Sequence, residues 1–134
     1  KALWNKNEVL RFYQPNNPNF VSHSIIDLQN NLKKNSGFIN VPAITIKSLL
    51  EDLNLSYEDI PLIKLDIEGA QIEVIKEFLD NGFKPRQILV EFDELNFPSK
   101  TGFDRVSVVN QKLIENNYKL IKTDDRSNFL YYKN

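Results

Sequence analysis

The hydrophobic pattern changes period inside one short stretch. From Leu62 to Glu68, Leu-Ile-Lys-Leu-Asp-Ile-Glu, side chains that alternate in direction sort into two faces. Ile63, Leu65 and Ile67 share one; Leu62, Lys64, Asp66 and Glu68 share the other. Past Gly69 the repeat lengthens, and Ala70, Val74, Ile75, Phe78 and Leu79 fall on one helical stripe that ends at Asn81-Gly82, before Pro85. A strand turning directly into a helix is half of a βαβ unit. A buried parallel strand normally reads apolar on both faces, so Lys64, Asp66 and Glu68 on one face are costly unless they pair or do chemistry.

The same reading along the chain predicts an α/β fold. Strands are expected near 62–67, 87–92, 118–123 and 128–133, and helices near 70–81 and 104–116. Asp104 is expected to cap the second helix, with Val106, Val109, Leu113 and Ile114 inward. Thr123 to Asn128 reads as the turn of a hairpin. Upstream, Glu8 to Gln14 is β-prone. Pro15 to Asn19 is a turn cluster, and 15–40 is the least regular stretch. Val41 to Ile46 reads as a short strand broken by Pro42. Thr45 then caps a helix through Leu53, with Ile46, Leu49, Leu50 and Leu53 as its apolar stripe. Ser56 and Asp59 mark a turn before the central strand.

Composition narrows the classes. At 134 residues the chain is one domain at most, and 41% hydrophobic content suffices for a modest core. A net charge of -1 gives no basic field for nucleic acid. The absence of cysteine excludes disulfides and thiolate metal sites and fits a reducing, cytoplasmic compartment. No apolar run reaches membrane-spanning length. A chain that begins with lysine and lacks methionine reads as a piece of a longer one.

Ligands of open α/β sheets bind beyond the carboxyl ends of the strands. Asp66 and Glu68 lie at that end of one strand, and Glu91 and Asp93 at that end of the next. With neighbouring strands about 4.8 Å apart, four carboxylates can converge on one cleft. A carboxylate there can act as a general base, and packed carboxylates raise one another's pKa. Glu68 has a second reading, as an N-cap of the following helix. Lys64 is expected to pair with a neighbouring carboxylate, and Gly69 to permit the tight turn. Glu94 reads as a solvated loop charge, as does Asp93 in its non-functional reading. Carboxylates suit magnesium or calcium, but no metal site is assigned, and no histidine lies near enough in sequence for zinc. His23 is the only histidine and a candidate substrate contact. Trp4, Phe12 and Tyr13 could stack on an adenine or a sugar, with packing as the competing role. No glycine motif for cradling phosphate is present, which disfavours an unrelated nucleotide-binding half.

Lys64-Leu-Asp66-Ile-Glu68-Gly69-Ala70, preceded by Asp59-Ile-Pro-Leu-Ile63, resembles the Lys-x-Asp-x-Glu-Gly-Ala motif of the FkbM family of methyltransferases. Gln71 stands where that family usually has Glu. The resemblance implies the C-terminal part of a Rossmann-like class I methyltransferase sheet, with parallel strands, a terminal antiparallel hairpin, and the last strand inserted between the fifth and sixth. It implies S-adenosylmethionine as cofactor and O-methylation of a hydroxyl on a sugar, glycolipid or other small metabolite. The residues assigned to catalysis are then Asp66, Glu68 and Glu91, and those assigned to substrate are Lys64, His23 and Asp93. The main cofactor-binding motif, a glycine-rich loop and an acidic ribose ligand, is expected upstream of Lys1, in a missing N-terminal half of the same domain. The isolated chain is then expected to be inactive. The alternative is a non-catalytic half-domain or interaction module that keeps the scaffold.

Overall fold

The computed structural model describes residues 1–13 and 37–134. The turn cluster at 15–19 and His23 lie outside the described residues. Among the described residues, seven strands and four helices follow in order: β1 (Ala2–Leu3), β2 (Val9–Tyr13), β3 (Phe38–Ile44), α1 (Ile46–Leu53), β4 (Leu62–Leu65), α2 (Gln71–Asp80), β5 (Gln87–Glu91), α3 (Asp93–Asn96), α4 (Lys100–Glu115), β6 (Lys119–Thr123) and β7 (Asn128–Tyr132). A 3₁₀ turn at Tyr57–Asp59 precedes β4, closed by a capping box between Ser56 and Asp59.

The strands form two mixed sheets, ordered β1-β3-β2 and β4-β5-β7-β6. In the larger sheet β4 and β5 run parallel. β7 lies between β5 and β6 and is antiparallel to both. The hairpin expected from the last two apolar runs is therefore present, and among the described residues β4 is an end strand of its sheet.

One face of this sheet carries the core. Leu65, Ile88, Val90, Phe92 and Tyr131 project into it and meet Ile72, Val74, Ile75, Phe78 and Leu79 of α2 and Val109 and Leu113 of α4. Each such large side chain contributes roughly 1.5–3 kcal/mol on burial. The α2 stripe read from the sequence is buried at every position. The opposite face is open at β4, where Leu62, Lys64 and Asp66 are exposed. Charge on this strand face therefore carries little desolvation cost.

Helix ends follow local chemistry. Thr45 accepts from the Ser48 amide at the start of α1. At the end of α2, Gly82 takes φ +84°, and the Phe83 and Gly82 amides donate to the Phe78 and Leu79 carbonyls, a Schellman closure. Asn54 and Asn117 hold the same left-handed position after α1 and α4.

Three expectations need correction. Pro42 does not break β3, which pairs with β2 through Pro42↔Val9. The Ala43 amide donates toward β2, to the Glu8 carbonyl. By alternation the Pro42 nitrogen faces away, where β1 pairs only with Ala43 and Ile44, so no ladder bond is lost. Ser99 rather than Asp104 caps α4, because its hydroxyl accepts from the Gly102 amide and starts the helix four residues early. Ile114, at the outer edge of its stripe, is 51% exposed, and Leu53, the last residue of α1, is 56% exposed.

Candidate functional site

The site begins where β4 turns into α2. Glu68 and Gly69 are consecutive left-handed residues, at φ 54° and 92°. Glycine tolerates this conformation, whereas a glutamate is held there at a cost on the order of 1–2 kcal/mol. The turn is closed by the Ala70 amide donating to the Ile67 carbonyl. Ala70, not Glu68, occupies the N-cap position and makes no side-chain cap bond. Gln71 supplies the local closure: its Oε1 accepts from the Gly69 amide at 2.8 Å.

Gln71 is completely buried and joins this turn to the end of β5. Its Nε2 donates to Asp93 Oδ2 and to Glu94 Oε2, both at 3.3 Å. Asp93 and Glu94 open α3 and are only 5% and 0% exposed, so their reading as solvated loop charges is overturned. The reason is tertiary: α3 turns back under α4, where Arg105 Nη1 lies 3.1 Å from Glu94 Oε1, outside hydrogen-bonding geometry. Arg105 also approaches Glu73 at 3.6 Å, which Lys76 pairs at 3.3 Å.

Burial, then the charges of Glu68 and Glu91, push the Asp93 carboxyl up to about 6; hydrogen bonds from Gln71 and the Gly69 amide oppose the rise. Burial also raises the Glu94 carboxyl, opposed by a backbone hydrogen bond, Arg105 and Gln71. Glu91 is half-buried and accepts from Asn96 Nδ2 at 3.0 Å and Ser127 Oγ at 3.3 Å.

Asp66 stands apart from this group. It pairs with Lys64 at 3.2 Å, with both side chains about half exposed, as expected for Lys64. β4 and β5 register Lys64 with Leu89 and Leu65 with Val90, so one further step brings Asp66 beside Glu91 on the same sheet face. The four carboxylates at the two strand ends thus divide: Glu68 and Glu91 act electrostatically on Asp93, and Asp66 pairs with Lys64.

A cavity of about 280 Å³ adjoins the same turn, lined by Lys1, Ala2, Leu3, Phe12, Ile67, Glu68 and Ala70. Of the other candidate aromatics, Trp4 donates to Glu8 at 3.1 Å and Tyr13 rests on Phe38. No group of three acidic or histidine side chains arranged for a metal occurs among the described residues. Nor is any helix among them long and apolar enough to cross a membrane.

Sequence reasoning missed Gln71, Glu94 and Arg105 as parts of one network. The available signal was a lone amide flanked by Ala70 and Ile72 in the first turn of an apolar-striped helix. The methyltransferase FkbM domain family matches residues 2–120 of the chain. No curated protein and no solved structure matches it significantly.

Proposed function

The chain belongs to the FkbM methyltransferase domain family, and on that premise we propose that it serves S-adenosylmethionine-dependent methylation of a hydroxyl on a sugar, glycolipid or other small metabolite. The observation that carries the reading is the gathering of acidic groups at the carboxyl ends of the parallel pair β4 and β5. Asp66, Glu68 and Glu91 are the groups proposed to orient the acceptor hydroxyl and take its proton. Lys64 holds Asp66, and Asp93 adds a carboxyl able to exchange a proton near neutral pH.

The placement of β7 between β5 and β6 supports reading the larger sheet as strands four to seven of a class I methyltransferase sheet. In that reading the chain is the C-terminal portion of the domain, and the free edge of β4 receives a preceding strand. The cavity fits part of the cofactor. Its walls of Ala2, Leu3, Phe12 and Ile67 suit a flat base. The methionine end and ribose are assigned to a segment before Lys1. When bound, the cofactor would supply an electrophilic methyl on a sulfonium to the acceptor oxygen. The hydroxyl proton passes to the carboxylate set.

The test is Asp66→Asn in the full-length enzyme, with release of S-adenosylhomocysteine as readout. Turnover should fall roughly 100-fold or more while the melting temperature moves little, because the Lys64–Asp66 pair is exposed. Unchanged turnover would remove Asp66 from the reacting groups.

A further inference from the structure

We propose that Gln71 is a positioning residue whose side-chain amide bridges Asp93 and Glu94 and ties the turn carrying Glu68 to the end of β5. Three geometric facts support this. The side chain is fully buried, so its two N–H donors have no water to satisfy them. Both face carboxylate oxygens, of Asp93 and Glu94, at 3.3 Å. The carbonyl end is committed to the Gly69 amide at 2.8 Å, which fixes which end of the amide points at the acids.

A buried carboxyl is costly without hydrogen-bond donors, and one neutral amide supplies a donor to each of these two acids without adding charge. The groups facing Asp93 make its proton occupancy sensitive to that donor. Glu68 from the β4–α2 turn and Glu91 from β5 act electrostatically to keep a proton on it. On the far side of the amide, Glu94 of α3 is pulled toward ionisation by Arg105 of α4 and opposed by Glu73 of α2, which Lys76 pairs. Gln71 sits between these two sets. The consequence for methyl transfer, an Asp93 ready to receive a proton beside Glu68 and Glu91, rests on the function proposed above. The positioning role does not.

The experiment is a carboxyl-carbon NMR titration of the protein, with Asp93 assigned through Asp93→Asn. In the wild type, the Gln71 side-chain amide signals should shift with the same midpoint as the Asp93 carboxyl, near 6. In Gln71→Glu, where the donor becomes a third acid, that midpoint should rise by about one unit or more. Gln71→Met, which loses the donor without adding charge, should raise it less and speed hydrogen exchange at the Gly69 amide. Gln71 amide signals that ignore the Asp93 titration overturn the proposal in the wild type alone. So does an unmoved Asp93 midpoint in a folded Gln71→Glu protein. A protein that passes these tests yet methylates no hydroxyl acceptor would sink the proposed function and leave the positioning role standing.

Discussion

Replacing Asp93 by Asn should stabilise the protein at pH 8. The Asp93 carboxyl is 5% exposed and rises from 3.8 to about 6 on folding. Because the folded value exceeds the unfolded one, the folded state binds more protons between the two. Stability therefore falls as pH rises through that window, and the loss is complete above about 6. A rise of about two units at about 1.4 kcal/mol each sets a ceiling near 3 kcal/mol on what the ionised carboxylate costs. Local relaxation absorbs part of this, and about 1–2 kcal/mol is the gain expected for Asp93→Asn above pH 7. The asparagine oxygen can still accept from Gln71 and the Gly69 amide, and its nitrogen donates into a region dominated by Glu68 and Glu91. Urea unfolding of both proteins at several pH values from about 4 to 8 measures the difference directly. It should approach zero at the acid end and reach a plateau above about pH 7. A mutant destabilised at pH 8, or a difference independent of pH, would refute the reasoning.

Two glycines should separate backbone strain from crowding. Gly82→Ala meets no atom within 4 Å and should cost only the left-handed backbone, about 1 kcal/mol. Gly102→Ala places a methyl 3.0 Å from Ser99 Oγ and 3.2 Å from Glu94 Cβ and the Glu94 carbonyl oxygen; denaturant unfolding should show about 2 kcal/mol lost. Tyr118 donates to the Pro85 carbonyl at 2.6 Å inside the core, and Tyr118→Phe should cost about 1–3 kcal/mol by the same assay, because the buried carbonyl is left without its donor. Asp124 accepts from the Arg126, Ser127 and Asn128 amides and from Asn128 Nδ2, which lowers its carboxyl to about 2. Its contribution to the β6–β7 turn is present above 3.8 and lost as pH falls toward 2, so Asp124→Ala should lower the melting temperature at pH 7 more than at pH 2.5.

Much of this molecule is local and was legible residue by residue. Period-two and helical patterns located β4, α2 and β5, because one side of each element must be apolar to bury it. Asn81-Gly82 announced the end of α2, since glycine tolerates the left-handed turn that closes a helix. A pairing of Lys64 with a neighbouring carboxylate was expected, and the structure makes Asp66 that partner. Other features depend on which surfaces meet. Whether Pro42 interrupts a strand depends on which side its neighbour occupies, and β1 stops one residue short of it. Asp93 and Glu94 look like surface charges in sequence; they are buried because Gly102 lets α4 pack against Glu94 and bring Arg105 with it. Gln71 is marked locally only as a lone amide among apolar neighbours, which does not name its partners. Its role comes from α3, distant in sequence, closing on one amide, and only tertiary packing decides which polar groups lose water and must find one another.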